Sequence, residues 1–586
     1  MSQLASTGRL APTEHLDLAI SLPLRNRDIL TNLLQQIYDP ASTNFHRYLT
    51  PAQFAGQFGP SDQDYQAVIQ FARTNGLTVT ATHPNRALLE VSGAVADIER
   101  TFHVALHTYR HPREARNFYA PDVEPSVDLA VPLLAVAGLD NYVLPQPGAR
   151  PQPRNLKPSA PGSGSGANND YIGNDFRAAY VPGTSLNGAG QMVGLLELDG
   201  YYLSDITNYE ATAGLSPVPL QNVLLGGFSG NPTTNTIWVA EVSLDIEVAI
   251  AMAPGLARVI VYEAPNNGSS FLGILSRMAT DNTAKQLSSS WFIFNNSSAD
   301  QSYLQFAAQG QSFFQCSGDD GAFYSGIPQW ADNPNVTLAG GTSLNTSGPG
   351  GAYVSETAWN NDDGTNGGGG GISTSSFGNY DIPAWQLGIS MAANNGSTSK
   401  RNIPDISMVA QNVRVLYANG SAGTFWGTSI SAPLWAGFTA LVNQQATVDG
   451  RPTMGFLNPA LYALGKNPSY AALFHDVTSG NNTNNNSRTL YYATGGYDLC
   501  TGLGSPTTGL IQSLENYAGA VWVDFSVAGP GTGTYQDPYN TLALGTANVQ
   551  SSGTVAIKGP SSTPAAPFIS KPMVLNASGG SVLIGH

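Results

Sequence analysis

Charge is scarce in this chain. Only 11% of its 586 residues are charged, against the ~25% usual in soluble proteins. Basic residues are the scarcer sign, 25 Lys and Arg against 40 Asp and Glu, for a net charge of −15. With no basic patch to neutralise phosphates, nucleic acid is excluded as a partner. Two cysteines, Cys316 and Cys500, are too few for a disulfide framework and read as buried thiols. No apolar run approaches the ~20 residues of a membrane-crossing helix, and the opening MSQLASTGRLAPTEHLDL has no apolar core of a secretory signal. Histidine is also rare: six of eight lie before residue 112, His586 is last, and His475 alone falls between 161 and 520.

What is present in place of charge is Gly, Ser, Thr and Asn. Such a surface keeps its character when carboxylates are protonated, which suits acid. The charge that exists is uneven. Residues 1–160 carry 14 acidic and 13 basic residues, whereas 161–520 carry 24 and 10. The length allows roughly four domains of about 150 residues, and the patterning divides the chain. Residues 1–145 read as an α+β domain: DILTNLLQQIYDP, DYQAVIQFARTNG and VADIERTFHV as helices, LTVTATHPNRALLEVSG as a hairpin. Residues 146–170, rich in Pro and Gly and without periodicity, read as an exposed, cleavable linker, or else as an ordered Pro-rich arm packed on the surface. Over 171–518 apolar runs (QMVGLLEL, ARVIVYEA, KQLSSSWFIF, SFFQCSG, NVTLAGG, VRVLYANG) alternate with helical patterns, notably AEVSLDIEVAIAMA and FLGILSRMATDN. Strand alternating with helix predicts a mostly parallel sheet with helices on both faces, and sites at the carboxyl ends of its strands. Residues 519–586 (TVAIKG, PMVLNA, GSVLIGH) read as a short β-rich segment, either the opening coils of a parallel β-helix or an ordinary small β domain.

FWGTSISAPLWAGFTALV presents Ser429 as a nucleophile, which raises the question of what takes its proton. His475 is the only histidine nearby in sequence terms, and in LFHDVTSG it reads as a surface residue. Carboxylates are the other candidates. Glu241 and Asp245, four residues apart, share one face of a helix. That face is either solvated or, if buried, must share a proton. Asp319 follows the strand of SFFQCSGDDG, as a site residue or as part of a turn. Below about pH 5 a histidine (ordinary pKa ~6.5) is already protonated, whereas Glu (~4.3) still accepts a proton. A protonated Asp becomes a donor that can stabilise an oxyanion.

The set Glu241-xxx-Asp245, Asp319 in SGDDG and Ser429 in GTSISAP resembles the sedolisins, the serine-carboxyl peptidases, and among them the kumamolisin-like members that bear a pro-domain. LLELDG with Glu197, SSSW with Trp291, AGGTSL, ETAWN, GGGGISTSSF with PAWQ, and IPDIS with Asp405 match as well. The resemblance implies a subtilisin-like fold and an activation domain over 1–145. It makes Ser429 the nucleophile, Glu241 the general base and Asp245 the group that orients it. Asp319 becomes the oxyanion acid, with Glu197 and Trp291 extending the network. Two departures stand out: Asp320 where the family has serine, and Phe292 where it has glycine. HDVTSG and ATGGYDLCTGLGSP resemble the two halves of the family's calcium site, which would be built from Asp476 and Asp498 side chains and the carbonyls of Val477, Thr494 and Gly496; six to eight hard oxygens suit calcium.

By this resemblance the chain is expected to be a secreted, acid-acting endopeptidase precursor. It is expected to be a monomer that hydrolyses proteins and peptides through an acyl-enzyme, restrained by its own pro-domain until that is removed. The competing readings are a His-dependent subtilisin-like hydrolase using His475, and a non-catalytic surface or adhesion protein on a degenerate scaffold.

Overall fold

The computed structural model describes residues 4–585 apart from 41, 153–163, 294–295, 325, 329–330, 375–378, 392, 394, 518–519, 532, 534–536 and 550–552. The main sheet comprises β1 (Met192–Glu197), β2 (Leu220–Leu224), β3 (Arg258–Glu263), β4 (Gln286–Ser289), β5 (Ser312–Cys316), β6 (Thr337–Thr346), β7 (Tyr353–Ala358) and β8 (Ile406–Val409). Their order is β2-β3-β1-β4-β5-β6, parallel throughout; β6 then pairs in parallel with β8 and antiparallel with β7. Helices α1 (Thr236–Met252) and α4 (Ser431–Val448) pack together on one face, α2 (Ser270–Asp281) and α3 (Ser297–Ala308) on the other. Covered on both sides, the central strands are continuous apolar runs: Val193, Leu195, Val259, Val261, Phe313 and Phe314 are all buried.

The N-terminal domain has its own core around Leu18, Ile20, Val68, Val91, Ile98 and Phe102. Strands Thr78–Thr82, Leu88–Ala94, His15–Ser21 and Ala135–Ala137 form an antiparallel sheet in that order. Helix Asp62–Thr74 begins where the Ser61 side chain accepts from Asp64 N, and it buries Tyr65, Val68, Ile69 and Ala72, one stripe of a 3.6-residue period. This domain lies on α2 and α3. Asn85 donates to Gln305, Gln301 bridges Leu22 and Leu24, and the Tyr38 hydroxyl donates to the Ala307 carbonyl.

VRVLYANG, expected with the parallel strands, lies outside the main sheet. Val413–Tyr417 forms an antiparallel hairpin with Ser421–Trp426, turned at Asn419-Gly420, both at positive φ. An apolar run of this length does not say which sheet it joins. In the C-terminal segment Val521–Val523, Thr554–Lys558 and Val574–Ser578 stack in parallel, as do Ser561–Thr563 and Val582–Ile584, around Val523, Val555 and Ile557.

Candidate active site

The carboxyl ends of β1, β4 and β5 converge with α1 and the start of α4. Helix α1 has no solvent face: every residue from Val239 to Met252 is buried. Glu241 and Asp245 therefore sit in the interior and not on a solvated acidic stripe. Two carboxylates there cannot both ionise cheaply. Burial, then the charge of Asp245, pushes Glu241 well above the usual carboxylate range; burial, then the charge of Glu197, does the same to Asp245. Asp245 Oδ1 accepts from Ser290 Oγ at 2.7 Å, and Glu197 Oε2 accepts from the Trp291 indole at 2.8 Å. The remaining oxygens, Asp245 Oδ2 and Glu197 Oε1, have no conventional donor among the described residues. The two carboxyls lie within hydrogen-bonding reach of each other, and a proton shared between them would satisfy both.

Ser429 precedes α4 and is fully buried. It lies beside Glu241 and favours that group's charged form, but its hydroxyl is turned on to the Ser290 carbonyl at 3.3 Å. A hydroxyl proton rotates, and Glu241 Oε1 stands without a partner among the described residues. Asp319, just beyond β5, is fixed through Oδ1, which accepts from Thr428 N (2.8 Å) and Thr428 Oγ1 (2.7 Å). Its Oδ2 is buried and unpartnered among the described residues, and burial raises the carboxyl to about 6. Gly427 has φ of 138°, and a Cβ there would lie 2.9 Å from Asp319 Oδ2 and 3.0 Å from Ala149 Cα. Only glycine fits that turn. Ser290 and Thr428, which hold Asp245 and Asp319, were quoted within motifs but not singled out by sequence reasoning.

The chain's own residues 146–152 fill the cleft. Of the segment read as an exposed linker, 153–163 lie outside the described residues, but Ala149 is 1% exposed. Gly148 N donates to Ser290 O (3.1 Å) and Phe292 N to Gln146 O (2.8 Å), with Pro147 opposite Trp291 in an antiparallel bridge. On the other side Arg150 and Pro151 pair antiparallel with Trp426 and Phe425, and Gln152 N donates to Thr424 O. Between the two ladders, Ala149 N donates to Glu241 Oε2 at 2.8 Å. Gly148 thus lies against Ser429 and Asp319, and Ala149 against Glu241; the Gly148 carbonyl accepts from Arg150 Nη1 at 3.4 Å.

His475 stacks on Tyr353 at 3.6 Å in a short pairing with Ser505, and burial lowers it to about 4. Asp405 is held by buried Arg401, Tyr462 and Asn458. Elsewhere, Asp476 and Asp498 converge on the turn at 494–496: Gly496 N donates to Asp476, and Thr494 N to Asp498 Oδ2. Val477 is buried beside them, and Thr494 Oγ1 is buried without a partner among the described residues. Burial raises Asp498 to about 7. Among the described residues no group of three or more His, Cys, Asp or Glu side chains could hold a metal.

Residues 2–142 match the family model described as "Pro-kumamolisin, activation domain". The chain is 34% identical over 498 residues to kumamolisin of Bacillus sp. (strain MN-32), covering 80% of this chain and 86% of that protein. It is 30% identical over 530 residues to sedolisin of Pseudomonas sp. (strain 101), covering 85% and 86%. Among solved structures, Pseudomonas sedolisin complexed with two molecules of pseudo-iodotyrostatin superposes with a TM-score of 0.49 at 26% identity, covering 59% of this chain and 96% of that one. By these relatives the chain belongs to the sedolisin family of serine-carboxyl peptidases, as a self-activating precursor with a pro-kumamolisin activation domain.

Proposed function

We propose that the protein is an acid-acting endopeptidase whose first substrate is its own Gly148–Ala149 bond. The observation that carries this reading is the seat of residues 146–152, paired to the cleft on both sides with Ala149 N on Glu241. Ser429 Oγ attacks the Gly148 carbonyl carbon and its proton passes to Glu241. Asp319, protonated, donates from Oδ2 to the oxygen that becomes negative. The C–N bond then breaks, Glu241 returns the proton to Ala149 N, and the acyl group stays on Ser429. Water, deprotonated by Glu241, releases it. Asp245 and Glu197, the latter fixed by the Trp291 indole, stand behind Glu241 as its proton reserve. With carboxyls as acid and base, the chemistry runs in acid, which fits secretion into an acidic medium.

Calcium fits the 476–498 site. Two carboxylates aimed at one turn and a buried hydroxyl without a partner among the described residues suit a hard cation. Asp476, Asp498 and the carbonyls of Val477, Thr494 and Gly496 would hold it, clamping the loop that follows the catalytic core.

Incubating the precursor near pH 4 with a denatured protein tests the reading. Fragments of that protein and a new N-terminus at Ala149 are expected. An intact precursor and an intact substrate would overturn it. Among the described residues no helix is long and apolar enough to cross a membrane.

A further inference from the structure

The cleft holds its own peptide in a register that can be read residue by residue, and one wall of it is unlike the rest. A Cβ placed on Gly148 would overlap Ser429 Oγ and would lie 3.3 Å from Asp319 Oδ2 and 3.4 Å from Phe292 Cε1. The Cβ itself meets Phe292 at ordinary contact distance. The three atoms nearest that Cβ thus belong to the nucleophile, the Asp319 carboxyl and the Phe292 ring. Asp319 and Ser429 cannot move aside without losing the bonds that fix Asp319 on Thr428 and Ser429 beside Glu241. Phe292 is the remaining wall, and it is held by its own backbone, whose N–H is engaged with Gln146 O.

The neighbouring position is permissive in a different way. In the ladder with residues 290–292, donors and acceptors are used at 146 and 148, whereas residue 147 directs its backbone nitrogen away from that strand. Proline lacks that N–H and has φ near the extended range, so Pro147 forfeits no bond there.

Resting on the peptidase reading above, we infer that Phe292 closes the pocket for the residue on the acyl side of the cleaved bond, so that this enzyme cuts after glycine and takes extended Pro-Gly segments of polypeptides as substrates. A larger residue binds only by displacing the peptide from Ser429, which lowers kcat as well as raising KM.

The test uses the acid-processed enzyme and four quenched peptides with the sequence of residues 146–150, carrying Gly, Ala, Leu or Phe at the position of Gly148. kcat/KM is expected to be highest for Gly, and lower by about tenfold or more for Leu and Phe. Phe292→Gly should raise the Leu and Phe values by about tenfold relative to the Gly value. In the precursor, Gly148→Leu should leave the 148–149 bond whole by mass spectrometry, and adding Phe292→Gly should restore the cut. Equal cleavage of all four peptides overturns the closed pocket while leaving the peptidase reading intact. A protein that cleaves none of them, and no denatured protein either, overturns both.

Discussion

The amide of Ala149 donates to Glu241 Oε2 at 2.8 Å, which puts the leaving nitrogen of one peptide bond on the group that would protonate it. The same carboxyl neighbours Ser429, so in the proposed reaction one side chain would serve attack and departure. Ser429→Ala should leave the precursor whole in acid, with no peptide hydrolysis. Glu241→Gln keeps the shape and the contact with Ala149 N but cannot take a proton. It should lower the rate of self-cleavage by about 10²–10⁴. Intact-mass analysis after acid treatment checks both, and a Glu241→Gln precursor that matures at the normal rate would exclude it as the base.

The pH limit on the alkaline side should come from Asp319. Its folded pKa is raised to about 6 by burial, so it is protonated and able to donate below that pH and is a repelling anion above it. Activity is expected to fall as pH rises through about 6. The acid side belongs to the coupled Glu241–Asp245–Glu197 set and to no single member of it. Asp319→Asn keeps a donor that does not titrate. It should lose activity at acid pH yet extend the profile upward, while Asp319→Ala should cost about 2.7–4 kcal/mol of transition-state stabilisation. Profiles of kcat/KM for the three proteins decide it; a wild-type maximum above pH 7 would remove Asp319 from this role.

Acid should also loosen the pro-domain. His46 is buried against Phe45, Tyr48 and Tyr38, and its Nδ1 has no partner among the described residues. Tyr38 and Tyr48 in turn bond to Ala307, Phe456 and Thr453 of the catalytic domain. Burial lowers His46 to about 3. A lowered histidine is neutral in the docked form and binds a proton once released. Docking is therefore unaffected above about 6.5 and weakens as pH falls toward 3. His46→Asn does not titrate, and asparagine tolerates the left-handed backbone (φ 49°) found there. The pH at which half the precursor converts in a fixed time should move down in this variant. An unmoved midpoint would assign the trigger to another group.

Much of this was legible because burial leaves a periodic trace. The buried strands read as apolar runs and the pro-domain helices as 3.6-residue stripes. The acidic pair was visible only as a spacing: nothing in Glu241-xxx-Asp245 says whether water reaches it, and the answer came from helices and strands distant in sequence. The cleft segment was the least legible. Gln-Pro-Gly-Ala-Arg-Pro-Gln has no period because its backbone is paired to the strands on either side, with Arg150 bonding back to the carbonyls of 147–149. Pro and Gly there signal an absence of helix, which exposed loops and cleft-bound peptides share.

If calcium occupies the 476–498 site, chelation should lower the melting temperature. A metal bound only by the folded state stabilises by mass action, about 2.7 kcal/mol at one hundred times its Kd. Asp498→Ala should abolish the response to added calcium in thermal melts. Identical melting of the wild type with and without chelator would remove the metal.

The last expectation concerns Glu263, at the end of β3 in register with Glu197. It is fully buried, and neither carboxyl oxygen has a partner among the described residues. Burial, then the charge of Asp199, raises it to about 8. Its folded pKa lies above the unfolded value, so the folded state binds the extra proton between about 4.5 and 8. The stability this confers is complete in acid and is lost as pH rises through about 8. Glu263→Gln preserves the shape of the neutral acid and never ionises. The two proteins should melt alike at pH 4, and the variant should melt higher at pH 8. A wild type that keeps pace with the variant at pH 8 would mean that Glu263 carries its charge in the fold after all, with a compensating partner.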